Sequence, residues 1–132
     1  IVGEDQLIYM LQLIYSTEAL TKQMLHGQHN FIIACENHAA IAFADYSLMQ
    51  PGIYKLHKLY ALPNQQGKGL GRLLINHIIE KIKPATELRL NVNRHNKAKE
   101  FYERLGFTVI AEEDIDIGNG YFMNDYVMSK KL

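Results

Sequence analysis

Gln66-Gly67-Lys68-Gly69-Leu70-Gly71 sets three glycines at alternating positions. The run follows a strand-like stretch, Lys55 to Ala61, and opens a segment whose apolar residues recur at helical spacing. The first amides of a helix have no internal partner, and the helix dipole favours negative charge there. A strand, a glycine turn and a helix start together make a pyrophosphate cradle. Two cradles fail on spacing. The P-loop needs a Ser or Thr after its lysine, for a magnesium ion, and Lys68 is followed by Gly69. The dinucleotide fingerprint needs G-x-G-x-x-G and an acidic residue about 20 positions on. Here the spacing is G-x-G-x-G, and Glu87 follows a helix and a proline.

A third pattern, Gln/Arg-x-x-Gly-x-Gly/Ala, is met in full by Gln66, Gly69 and Gly71. It resembles the acetyl-CoA pyrophosphate motif of the GNAT N-acetyltransferase superfamily. A second segment, Asn91-Val92-Asn93-Arg94-His95-Asn96 followed by Phe101-Tyr102 and Leu105-Gly106-Phe107, is similar to the other half of that signature. There a strand ends in an Asn-containing loop, and the next helix carries Phe-Tyr and closes on Leu-Gly-Phe. Two motifs in the right order are far more specific than either alone. The resemblance covers roughly Ile32 to the C-terminus. The closing stretch Gly118 to Met128 loosely resembles that of bacterial small-amine and polyamine-type members.

The resemblance implies a mixed, mostly antiparallel α/β sheet flanked by helices, and acetyl-CoA as co-substrate. Gln66, Gly67, Lys68, Gly69, Leu70, Gly71 and Arg72 would hold the pyrophosphate, although Lys68 and Arg72 also suit a solvated surface. Leu59, Tyr60 and Ala61 fall where the superfamily's fourth strand offers backbone groups to the pantetheine arm. Asn96 matches a loop asparagine that touches the cofactor arm, and it also suits a helix cap. Tyr102 matches the tyrosine that protonates the departing thiolate, and it equally fits a core aromatic. The sequence leaves the general base open between His57, an acidic residue on the last strands such as Asp125, and a chain of waters. The acceptor is then a primary amine, with a small cationic amine ahead of a protein N-terminus or lysine.

These groups need elements to position them. Glu4 to Tyr15 and Ser16 to His26 read as two helices, the second stopped by Gly27. Phe31 to Glu36 and Ala39 to Leu48 read as a hairpin turning at Asn37-His38, and Ile53 to Ala61 as the next strand. Between Gly69 and Lys83, Leu70, Leu73, Leu74, Ile78 and Ile82 form one helical face, flanked by Ile75 and Ile79. Leu88, Leu90 and Val92 alternate as a strand. Ala98, Phe101, Tyr102 and Leu105 recur helically behind Asn96, with Gly106 as the stop. Phe107 to Ile110 and Tyr121 to Ser129 read as closing strands. Glu112, Glu113, Asp114 and Asp116 between them read as a solvated loop, or as a lure for a cationic acceptor.

The 132 residues suit one domain, 1–132, with a real core. Members of the superfamily begin with a strand and a helix before the segment seen here, so the chain reads as N-terminally incomplete. Fourteen Lys and Arg balance fourteen Asp and Glu, leaving no electrostatic footprint for nucleic acid or an anionic membrane. The single cysteine, Cys35, forms no intrachain disulfide and reads as buried core. His26, His29 and His38 lack metal-ligand spacing, so no metal is expected, and the setting reads as cytoplasmic. Two other classes stay open: a non-catalytic acyl-CoA sensor, and a homodimer paired through Met123, Tyr126 and Met128 on an edge strand.

Overall fold

The computed structural model describes residues 29–132. The two helices expected over 4–15 and 16–26 lie outside the described residues. Among the described residues six strands form one sheet in the order β1-β2-β3-β4-β6-β5: β1 (His29–Glu36), β2 (Ala39–Gln50), β3 (Ile53–Ala61), β4 (Glu87–Asn93), β5 (Thr108–Gly118) and β6 (Tyr121–Lys131). β3 pairs β4 in parallel, and every other pair is antiparallel. A parallel pair needs a crossover, and helix α1 (Leu70–Lys81) supplies it. Helix α2 (Ala98–Arg104) joins β4 to β5.

Turn chemistry places both hairpins. Asn37 and His38 (φ 51 and 66) close β1 on β2, and Asn119 and Gly120 (φ 54 and 77) close β5 on β6. Two successive positive φ values match the right-handed twist of the flanking strands, and Asn tolerates that region.

One face of the sheet is the main core. Leu74, Ile75 and Ile78 of α1 and Ile82 at its C-cap pack with Ala42, Ala44, Leu56, Leu88, Leu90, Val92, Phe107 and Met128. The alternation in β4 is complete, with Leu88, Leu90 and Val92 buried and the residues between them only partly so. The buried stripe of α1 is rotated from the expected one. Ile75 is buried and Leu73 is 60% exposed, because the stripe runs through 74, 75, 78 and 82. A smaller cluster of Ile41, Phe43 and Leu62 lies beside it.

Three further expectations fail. Cys35 is exposed, being near the end of edge strand β1. The acidic run is no loop: β5 extends through it to Gly118 as the other edge strand, exposed throughout. β6 lies between β4 and β5 over 125–131, and Met128 is fully buried, so Tyr126 and Met128 present no free edge for a dimer, while Met123 lies beyond the β4 pairing. Among the described residues no helix is long and apolar enough to cross a membrane.

Candidate active site

The glycine turn and the head of α1 form the first part of the site. Leu62, Pro63-Asn64-Gln65 and the loop to Gly69 carry the chain from β3 to α1. Gly67 and Gly69 hold φ of 83 and 77, a region that favours glycine, and a Cβ at either would meet nothing within 4 Å. Gly69 starts α1 with no side-chain cap, and the first turn holds no acidic residue. The first intrahelical bond runs from Leu73 N–H to the Gly69 carbonyl at 3.0 Å. The amides of Leu70, Gly71 and Arg72 therefore precede the helical ladder and are left to an outside acceptor. Open space over uncapped amides suits a pyrophosphate.

Gly71 has a different reason to be glycine. A Cβ there would lie 2.8 Å from the Phe101 Cζ atom, so Gly71 lets α2 approach α1. Gln66 Nε2 donates to the Ala61 carbonyl at 3.2 Å and so ties the exposed loop to the end of β3. Lys68 Nζ donates to Gln65 Oε1 at 3.1 Å, and both Lys68 and Arg72 are exposed.

The second part is a split in the sheet. Pairing of β3 with β4 stops at Leu56 and Leu90, yet the strands run on to Ala61 and Asn93. Leu59, Tyr60 and Ala61 thus lie where β3 has left β4, and their outer backbone groups can pair with an extended ligand. Two clefts meet here. One, of about 570 Å³, is lined by Leu59 to Ala61, the glycine turn, and Phe101, Tyr102 and Leu105 of α2 and the turn after it. The other, of about 360 Å³, holds His57, Asn91, Asn93, Asn96 and Tyr102.

Tyr102 borders both clefts. Its ring packs edge-on against Phe101 and Phe107, at 5.2 and 5.8 Å between centroids. The core-aromatic and catalytic readings thus coexist in one side chain. Burial pushes its hydroxyl above the usual tyrosine pKa, which keeps the proton in place as an acid requires. Asn96 is the physical cap of α2: Lys97 already has helical dihedrals, and Asn96 Oδ1 accepts the Ala98 N–H at 2.8 Å. That leaves its amide nitrogen at the cleft.

His57 belongs to a cluster that the sequence does not reveal. Its Nε2 lies 2.6 Å from Ser47 Oγ, and its ring stacks on His29 at 4.4 Å. His29 Nδ1 contacts Asp45 Oδ1 at 2.7 Å, and Asp45 is 1% exposed. Partial burial holds the His57 pKa below its ordinary value against the pull of Asp45, while His29, Lys55 and Lys58 add to the lowering. A neutral imidazole at neutral pH can accept a proton.

Asp125 lies apart from that cluster, buried on β6 opposite Asn93. The acidic run divides by strand alternation. Glu113 joins Asp125 through the amide of Asn91, whereas Asp114 and Glu112 face Arg94 at 2.9 and 3.8 Å. His95 is exposed on the loop. Sequence reasoning missed Asp45 and Ser47, and it named His29, Asn91 and Glu113 without joining them to His57 or Asp125. They meet only through strand register, which no local pattern encodes.

The family profile for "Acetyltransferase (GNAT) domain" matches residues 4–129. The chain is 50% identical over 48 residues to the 5-NmdU N-acetyltransferase of Pseudomonas phage PaMx11, a match covering 36% of this chain and 34% of that protein. It is 37% identical over 65 residues to the peptidyl-lysine N-acetyltransferase YjaB of Escherichia coli, covering 48% and 42%. The matches thus span well under two thirds of those curated relatives. The PaiA N-acetyltransferase of Thermoplasma acidophilum, solved with coenzyme A, superposes with a TM-score of 0.70 at 28% identity, covering 100% of this chain and 81% of that one.

Proposed function

The chain belongs to the GNAT acetyltransferase family, and on that premise we propose that it moves an acetyl group from acetyl-CoA to a primary amine by direct attack in a ternary complex. The observation that carries the reading is the convergence of two clefts at Tyr102, one running to an uncapped helix start and the other through the split between β3 and β4. The amides of Gly67 to Arg72 bind the pyrophosphate. Backbone groups of Leu59 to Ala61 pair with the pantetheine arm and align the thioester, and Asn96 contributes its free amide nitrogen.

The chemistry then needs three proton transfers. The acceptor ammonium loses a proton to His57, directly or through water, and its nitrogen lone pair attacks the thioester carbonyl. Amides beside the split stabilise the oxyanion. A C–N bond forms, the C–S bond breaks, the Tyr102 hydroxyl gives its proton to the leaving sulfur, and the nitrogen releases its surplus proton to solvent to leave a neutral amide. Solvent takes the proton from His57 and returns one to Tyr102. The preferred acceptor is a small cationic amine. A peptidyl lysine is the second reading, favoured by the likeness to the Escherichia coli relative.

Thiol release from acetyl-CoA across a panel of amines tests this directly. The expected result is amine-dependent release of CoA together with a melting temperature raised by acetyl-CoA through mass action. A melting shift without release for any amine leaves an acyl-CoA sensor. Neither shift nor release abandons the reading.

A further inference from the structure

We infer that Asp125, Glu113 and Asn91 seat a second cationic group of the acceptor, an ammonium other than the one acetylated; the inference rests on the acetyl-transfer reading above. Asp125 is held on an interior strand and is 4% exposed. Its Oδ1 is buried and has no hydrogen-bond partner among the described residues. Its Oδ2 accepts from Asn91 Nδ2 at 3.3 Å, and the same nitrogen donates to Glu113 Oε2 at 3.3 Å. A desolvated carboxylate oxygen with no donor is costly, and such an orphan calls for a missing partner.

The missing partner is cationic. Two carboxylates converge on one neutral amide, and among the described residues neither forms an ion pair. Arg94 pairs through one terminal nitrogen with Asp114 and Glu112, its buried Nε having no partner among the described residues, and Arg89 pairs with Glu87. Asn91 presents N–H groups to both carboxylates, the wrong polarity for a metal ion. A primary ammonium brings three donors, enough for Oδ1 of Asp125 and an oxygen of Glu113.

Position ties this seat to the reaction. Asn91 and Asn93 line the cleft that holds His57 and Tyr102, and Asp125 lies directly opposite Asn93 across the β4–β6 pair. A linear diamine can rest one end on Asp125 and offer the other, neutral end to the split between β3 and β4. A monoamine leaves the carboxylate unsatisfied, so the site selects by what it leaves unpaired.

Diaminobutane and butylamine are the probes, measured by calorimetry on the CoA-saturated protein and by steady-state kinetics with acetyl-CoA. The wild type is expected to prefer diaminobutane. Asp125→Asn and Glu113→Gln should each cut the ratio of the two affinities about tenfold, the size of one charge-assisted contact. Glu113 is exposed on an edge strand, so Glu113→Gln preserves the test if Asp125→Asn misfolds. The melting shift with CoA reports cofactor binding separately. Its loss in the wild type tells against acetyl transfer, while calorimetry still reads the cation seat. Equal wild-type affinity for the two amines overturns the inference. So does a ratio unchanged in the folded variants, or a melting shift from magnesium or calcium that the variants abolish.

Discussion

The glycine turn and the acceptor side of the cleft are built by opposite means. The turn is one continuous run, Gln66 to Arg72, whose geometry follows from positive φ at Gly67 and Gly69 and an uncapped helix start. The proposed acceptor side draws on His57 of β3 and Asn91 of β4, which line the cleft, and on groups bonded or stacked to them: His29 of β1, Ser47 of β2, Glu113 of β5 and Asp125 of β6. On the proposed reading the first region works through backbone amides, which every sequence possesses, so its specificity lies in what is absent: side chains, caps and acidic residues. The second works through side chains whose partners lie on other strands. A binding site for a common cofactor can therefore be local, while a site for a particular acceptor must be tertiary.

Tyr102 stands where the two regions meet, and removing its hydroxyl should give the largest effect. Tyr102→Phe keeps the ring that packs on Phe101 and Phe107. If the hydroxyl donates a proton in the transition state, turnover should fall by roughly 10²–10⁴-fold with cofactor affinity little changed. The measurement is kcat at saturating acetyl-CoA, under conditions where chemistry limits turnover. An unaltered kcat would return Tyr102 to the core and leave catalysis to positioning and carbonyl polarisation.

The glycines sharpen the comparison from the cofactor side. Gly69→Val puts a branched side chain into open space over the uncapped amides, at a φ of 77. The Michaelis constant for acetyl-CoA should rise about tenfold or more, because the branch occupies the anion's place. Gly71→Ala acts elsewhere: its Cβ would drive into the Phe101 ring. Overpacking of that kind costs about 1–3 kcal/mol, so its mark should be a lower melting temperature. The two variants should separate in a pair of assays, one moving cofactor affinity and the other stability. If Gly69→Val binds acetyl-CoA normally, the cradle is misplaced.

The same contrast governs what the sequence made legible. Ile53 to Ala61 reads as a strand over its observed length, because its flanks, Pro51-Gly52 and Pro63, are strong local stops. The cap at Asn96 and the stop at Gly106, with φ of 96, are likewise local. The acidic run was misread because its charges argued for solvent, whereas an edge strand exposed throughout tolerates them. Gly71 carries a second reason to be glycine that spacing cannot show, the approach of Phe101 from another helix. Cys35 was placed in the core on its apolar neighbours, but strand position decides burial at a sheet edge. The Asp45–His29 and Ser47–His57 contacts depend on register between β1, β2 and β3, including a bulge between Asp45 and Tyr46.

The smallest expected effect probes that register-built cluster. Folding depresses the His57 pKa, chiefly through partial burial, with Asp45 opposing and His29, Lys55 and Lys58 assisting. The unfolded chain then binds a proton more readily than the native one, so His57 favours the folded state fully only above its unfolded pKa, about 6.5. As pH falls from there through the lower folded pKa, that contribution should be lost. Wild type and His57→Gln should therefore converge or cross in stability on acidification, relative to their difference at neutral pH. Urea unfolding at several pH values measures this, with the difference between the two proteins cancelling groups that titrate alike in both. The rate carries the same signature with the same sign. If neutral His57 accepts the acceptor's proton, the acid limb of kcat/KM should fall below the ordinary imidazole range and should vanish in His57→Gln. A stability difference independent of pH, with an acid limb retained in the variant, would remove His57 as the base and pass that role to a water chain.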